Sequence, residues 1–337
     1  MKPRGKWIQG IDGSTPLAHA VRTIMELRLE PVAALLPLAQ ARHEEDPEYI
    51  HQLRVASRRA DAALKAFRFS FGRKRWRKVR KRLRTIRQAA GAARTCDVHI
   101  MTLAERLRQA EGEPRDTLAY ALTRTETERR QAQGAVDEAA RRFPEDKLRK
   151  GHDKLLASVR AITRAKLRDD EASSPHGSGT PTLLDTAMAL LPPTIADVDT
   201  AAAADLSVFE NLHQLRIESK RLRYSMEIFA PCFDDHFRKV LYPEMKTLQD
   251  HLGSINDAHE MALRFDRFAC STDGGQPDDE WQHRREGLDR LAGEWRAERE
   301  SLRETFLQWW AAFQARRILE EVEQYVRPTA SSVGDSA

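Results

Sequence analysis

Apolar residues recur at helical spacing along most of this chain, and no stretch alternates with the period of two that marks a strand. The stripes predict helices over about Pro16–Arg42, Pro47–Phe71, Arg73–Ala90, Cys96–Glu111, Arg115–Phe143 and Asp146–Leu167. The segment "DDEASSPHGSGTPT" from Asp169 reads as a flexible linker. After it the pattern resumes over about Thr182–Leu191, Val208–Phe229, Asp235–Leu252 and Asp257–Ala269, followed by two longer helices between Asp278 and Val326. Proline and glycine at Pro47, Gly72, Gly91 and Pro144 mark breaks. The stretches "PPTIADVDTAAAADLS" and "STDGGQPDDE" read as loops, and "RPTASSVGDSA" at the end as a disordered tail. The fold class is all-α.

The stripes repeat. "HQLRVASRR" begins at His51 and "HQLRIESKR" at His213, and the offset of 162 holds without a gap from there to Gly91 and Gly253. It joins Arg54 to Arg216, Ser57 to Ser219, Arg59 to Arg221, Phe67 to Phe229, Phe71 to Phe233 and Thr85 to Thr247, which makes it an internal duplication. Past Gly91 the second copy reads as two residues shorter, so that Asp97 pairs with Asp257. Glycine followed by a polar residue suits a helix C-cap and the next N-cap, so Gly91, Gly253, Asp97 and Asp257 are read as tight helix connections.

On a helical wheel His213, Arg216, Lys220 and Arg223 share one face, with Leu215, Leu222, Met226 and Phe229 opposite. The first copy sets His51, Arg54, Arg58 and Lys65 against Leu53, Ala60, Leu64 and Phe67, with Asp61 standing where the second copy has Arg223. The next helix lines up Arg73, Arg77, Arg80, Arg84 and Arg87 against Trp76, Val79, Leu83, Ile86 and Ala90. In the second copy Lys239, Tyr242, Lys246 and Gln249 fill four of those five basic positions, a weaker line.

Charge sharpens this picture. Between His51 and Arg94 stand 16 Lys and Arg against one acid, Asp61, a local charge of +15 in a chain whose total is only +5. Like charges at i,i+4 destabilise a helix by a few tenths of a kcal/mol per pair, so such a row points to a polyanionic partner that neutralises it. With 41% hydrophobic residues among 337 the chain can bury a sizeable core. Its longest apolar run, Val32–Ala39, is too short for a membrane span and contains Pro37, so a cytoplasmic protein is expected. Cys96, Cys232 and Cys270 are odd in number and lack paired spacing, so neither a disulfide framework nor a metal site is expected, and the thiols are read as lying at or near the core.

The doubled His-x-x-Arg-Val/Ile-x-x-Arg/Lys-Arg, the basic helix after it, and the Gly and downstream Asp resemble the CHAD domain, the conserved histidine alpha-helical domain. The resemblance implies a single domain over 14–328 built of two helical repeats, 14–168 and 182–328, joined by a linker at 169–181 and followed by a tail at 329–337. It implies two four-helix bundles related by a pseudo-twofold axis, with a basic channel between them that binds inorganic polyphosphate. The residues implied are His51, Arg54, Arg58, Arg59, Arg77, Arg80 and Arg84 in the first copy, and His213, Arg216, Lys220, Arg221, Arg223, Lys239 and Lys246 in the second. Association with polyphosphate granules is also implied.

The chemistry of the residues agrees with a phosphate polymer. Polyphosphate has no bases to read, so Arg and Lys making charge-assisted hydrogen bonds are its best host, with guanidiniums gripping oxygens bidentately and ammoniums acting as point charges. Imidazoles among cations should titrate low and take up protons when phosphate binds, so binding should strengthen toward pH 6. Nucleic acid is the second reading, since a pI of about 9.1 and a basic helix with Trp76 suit phosphate-backbone contacts. Few aromatics interleave the basic rows, however, and no Asn/Gln set suits base edges. A metal-dependent phosphohydrolase ranks third: "GHDK" around His152 and Asp153 is a lone pair without further ligands nearby. The segment "GSGTPT" lacks the Gly-Lys-Ser/Thr of a phosphate loop, and "EVEQY" lacks the Lys of a CYTH Glu-x-Glu-x-Lys strand. No catalysis and no cofactor are expected.

Overall fold

The computed structural model describes residues 5–159, 180–271 and 279–326. Ten α-helices run through the described residues: α1 (Leu17–Ala41), α2 (Glu48–Ala66), α3 (Arg73–Gln109), α4 (Glu113–Arg142), α5 (Glu145–Leu156), α6 (Leu183–Ala202), α7 (Phe209–Phe229), α8 (Tyr242–Ala269), α9 (Asp279–Ala315) and α10 (Ile318–Gln324). Short 3-10 turns follow α2 and α7, and one π-helical turn (Phe237–Leu241) leads into α8. The described residues are all-helical, as the periodicity predicts. Most of the expected linker, residues 169–179, and the expected tail, 329–337, lie outside the described residues.

Two breaks read from the sequence are absent. α3 and α8 pass through Gly91 and Gly253 without a turn, so Asp97 and Asp257 are mid-helix residues and cap nothing. Glycine inside a helix costs about 0.5–1 kcal/mol relative to alanine. That penalty is outweighed here because Ala89, Ala90 and Ala93 around Gly91, and Leu252 and Ile255 around Gly253, are buried. Continuity through both glycines favours keeping the offset of 162, since a two-residue deletion inside a helix would turn the rest of α8 by about 200°. Asp97 is buried against Arg129 of α4 at 2.5 Å, whereas Asp257 is exposed. Likewise α6 runs on through Pro192 and Pro193, where a loop is expected, because Leu191, Ile195 and Val198 continue its buried stripe. Of the thiols Cys96 is buried and Cys232 half-buried, but Cys270 is exposed and not at the core.

Helices adjacent in sequence pack as neighbours, α1 on α2, α2 on α3, α3 on α4 and α6 on α7, with α8 against α9 the most extensive pairing. The larger core draws on α1, α2 and α3 together with α6, α7 and the first half of α8. A smaller core joins Leu103 of α3 and Leu118 of α4 to Met261 and Phe265 of α8 and Leu288 and Trp295 of α9. The two copies meet one another, in one place through the equivalent Phe67 and Phe229 and in another through the starts of α1 and α6. Phe67 and Phe229 stand edge to face at 6.1 Å. The Leu17 N–H donates to the Pro181 carbonyl at 2.8 Å, and the Leu183 N–H to the Thr15 carbonyl at 3.0 Å. A capping box of Thr182 and Asp185 starts α6 beside this reciprocal pair.

Candidate anion-binding site

α2 and α7 carry the duplicated motif and pack on each other. Their apolar faces are committed to the core: Leu53, Ala60 and Leu64 on α2 with Phe67 at its C-terminal cap, and Leu215, Leu222, Met226 and Phe229 on α7, are fully buried. The faces that remain bring Arg54 and Arg58 of α2 toward Arg216 and Lys220 of α7, all four half-buried. Their fields overlap. Burial first, then repulsion from Arg216, Arg58 and Arg54, pushes the Lys220 ammonium down to about 6. Burial and then Arg58 lower Arg54 to about 10, and burial, with Arg58 adding to it, lowers Arg216 against the opposing pull of Asp257.

Among the described residues none of these four cations forms an ion pair, although Asp257 and Glu260 of α8 lie within reach of their field. Arg216 Nε and His51 Nδ1 are buried without a hydrogen-bond partner. Concentrated, partly desolvated and unpaired positive charge of this kind is unfavourable in the free protein and is relieved by an anion. Asp257, whose field the cations feel, stands on α8 between Ile255 of the larger core and Ala258 of the smaller one.

The two histidines of the motif have different neighbours. His51 is held below its ordinary range by burial first and then by Arg94 and Arg54, in line with the expected low titration. His213 Nδ1 lies 3.2 Å from Asn256 Oδ1. Arg94 and Asn256 are themselves equivalent at the offset of 162. Sequence reading missed this pair by changing register at Gly91; keeping the register for one more helical turn finds it.

The other expected residues have protein partners. Arg59 of α2 crosses to Glu227 of α7 at 2.7 Å, and Glu227 also receives Arg223 at 2.8 Å and the Tyr242 hydroxyl at 2.7 Å. Glu227 is 1% exposed, so this is a buried network; Arg223 further donates to Gln249 at 2.7 Å. Arg28, buried and lowered to about 10 by its burial first, feels the same carboxylate. Arg221 pairs with Asp197 at 2.6 Å, Lys239 with Asp235 at 2.6 Å and Lys246 with Asp250 at 2.9 Å, all three exposed. On α3 Arg80 stacks over Trp76 at 5.0 Å and reaches Asp61 at 4.0 Å, whereas Arg77 and Arg84 are exposed without an acidic partner among the described residues. The buried apolar line of Trp76, Val79, Leu83, Ile86 and Ala90 is as expected.

A family model for the CHAD domain matches residues 30–266. The chain belongs to the CHAD family. Among solved structures, the CHAD domain from the plant Ricinus communis is similar at 20% identity, with a TM-score of 0.65 over 90% of this chain and 96% of that one. PptA from Streptomyces chartreusis is similar at 19% identity, with a TM-score of 0.59 over 88% of this chain and 100% of that one. No curated protein matches. The match takes in both copies of the His-x-x-Arg motif, so the residues that converge from α2 and α7 lie within the CHAD domain.

Outside that cluster, within the CHAD fold, lie the residues of the hydrolase reading. His152 is buried and lowered to about 4, by burial first and then by Arg82, and Asp153 is exposed. Among the described residues no group of three or more His, Cys, Asp or Glu could hold a metal. No helix of the described residues is long and apolar enough to cross a membrane.

Proposed function

We propose that this chain binds inorganic polyphosphate without turning it over, in a basic channel between two helical halves related by a pseudo-twofold axis, each a four-helix bundle. One observation carries the reading: Arg54, Arg58, Arg216 and Lys220, equivalent positions of a duplicated motif, converge half-buried and unpaired, and depress Lys220 to about 6. A linear chain of phosphates bridges cations that arrive from two helices, and each charge-assisted hydrogen bond contributes about 1.5–3 kcal/mol before ordering is subtracted. Arg77 and Arg84 on α3 extend the same attraction outward. Membership of the CHAD family supports the proposal, as does the meeting of equivalent residues such as Phe67 and Phe229. Association with polyphosphate granules follows as a consequence of the binding.

The test is a binding assay with polyphosphate of defined length on the wild type, Arg54→Glu and Arg216→Glu, with helicity checked by circular dichroism. Each variant should weaken binding by about 10–100-fold, and the logarithm of affinity should fall steeply with the logarithm of salt. Equal affinity in wild type and both variants would refute the site. Preferential retention of duplex DNA over polyphosphate at physiological salt would replace the ligand by nucleic acid, and release of phosphate with added magnesium or manganese would make the protein an enzyme.

A further inference from the structure

α3 has a second basic face that the duplicated motif does not account for. Lys78, Lys81 and Arg82 of α3, with Arg142 of α4 and Lys147 of α5, line a groove of about 320 Å³ at the α4–α5 turn. The groove is built. The Arg82 guanidinium lies over the Phe143 ring at 5.8 Å and donates to the Lys147 carbonyl at 3.2 Å. Arg142 lies over the same ring at 5.4 Å, and Lys147 Nζ donates to the Arg142 carbonyl at 3.3 Å. Gly151 of α5 leaves the space that Arg82 uses, since a Cβ there would collide with Arg82 Nη1.

None of the five cations has an acidic partner among the described residues, and no carboxylate lines the groove. On α5, Glu145 and Asp146 are taken by Arg149 and by Lys150. We infer that this groove is a second anion site, independent of the α2–α7 cluster, and that it takes a short condensed phosphate such as pyrophosphate or tripolyphosphate. Its volume stands at the lower end of the roughly 300–1,000 Å³ of small-molecule sites, which suits a compact polyanion and not a duplex. Phe143 is buried with two guanidiniums over its ring, so it offers no open platform on which a base could stack. Arg82 and Arg142, spaced by that ring, can grip phosphoryl oxygens bidentately, while Lys78, Lys81 and Lys147 supply charge.

The experiment is calorimetric titration with tripolyphosphate at low salt on the wild type and three variants. The wild type should show two classes of site. Lys78→Glu with Lys81→Glu should remove one class and leave the other. Gly151→Ala keeps the net charge and favours the helix, yet by displacing Arg82 it should weaken that same class by about tenfold. Arg54→Glu with Arg216→Glu should leave the groove class in place. If that last variant binds as the wild type does, the α2–α7 reading fails while the groove stands. If the Lys78/Lys81 variant keeps both classes, or a nucleotide without condensed phosphates displaces tripolyphosphate stoichiometrically, the groove proposal is overturned.

Discussion

The two motif helices agree closely for their first two turns and then invert. On α2 the sequence from Asp61 to Lys65 sets acid before base; on α7 the equivalent positions, Arg223 and Glu227, set base before acid. The helix that follows answers in kind. Arg87 of α3 reaches Asp61 at 2.6 Å, while its equivalent on α8, Gln249, receives Arg223. Arg80 is likewise matched by Tyr242. Arg54, Arg58, Arg216 and Lys220 of the shared turns stay without an ion pair, whereas the divergent turn builds the charge networks: Asp61 with Lys65 and Arg87, and Glu227 with Arg223 and, across the halves, with Arg59. On the proposed function, a duplicated helix is divided along its length into a part that would attract the anion and a part that fixes the fold.

The two inverted pairs should differ most in what they contribute to stability. Glu227 is buried and holds Arg59, Arg223 and Tyr242, so Glu227→Ala leaves two guanidiniums uncompensated and should cost about 3–5 kcal/mol. Asp61 is also buried, but its partners Lys65, Arg80 and Arg87 reach solvent, and Asp61→Ala should cost roughly 1–2 kcal/mol. Chemical denaturation of the two variants side by side checks the ordering. Equal losses would mean that the inversion has no structural consequence.

How far this division could be read in advance depends on distance along the chain. The helices and their buried faces were legible because the core imposes a period of 3.6 on Leu53, Ala60 and Leu64 as on Leu215, Leu222 and Met226. The oddity of Asp61 was legible too, as a break in a duplicated row. What could not be read was which cations are already neutralised. Arg59 and Glu227 are 168 positions apart, and no local pattern brings them together. Gly91 misled for a different reason: propensity is local, and burial of the alanines around it prevails.

Within the ligand-attracting turns, affinity should separate free cations from paired ones. Arg54→Gln and Arg216→Gln should each weaken polyphosphate binding by about tenfold or more, and by similar factors, because the two side chains are equivalent and unpaired. Lys239→Gln and Lys246→Gln should change it by about twofold at most, since each ammonium is exposed and already held by Asp235 or Asp250. Filter binding at two salt concentrations measures both sets. A larger loss from the second pair than from the first would move the site from the α2–α7 junction to α8.

Lys220 offers the finest discrimination, because within the α2–α7 cluster it and Arg58 are equivalent cations of unlike type. Its ammonium is lowered to about 6 by burial, then by Arg216, Arg58 and Arg54, whereas in the unfolded chain it titrates at about 10.4. Between those values the unfolded state binds more protons than the native state, so this residue makes stability rise with pH across that window. Lys220→Met, which keeps the apolar stem and removes the charge, should therefore stabilise the free protein by roughly 1–2 kcal/mol near pH 6 and by less near pH 9. Binding reverses the sign: phosphate restores the charged form, so the wild type takes up a proton near pH 7.5 and the variant takes up fewer. Calorimetry in two buffers of different ionisation enthalpy reads that difference. Uptake that is unchanged in Lys220→Met but lost in His51→Gln would assign the proton to the imidazole and leave Lys220 a bystander of the site.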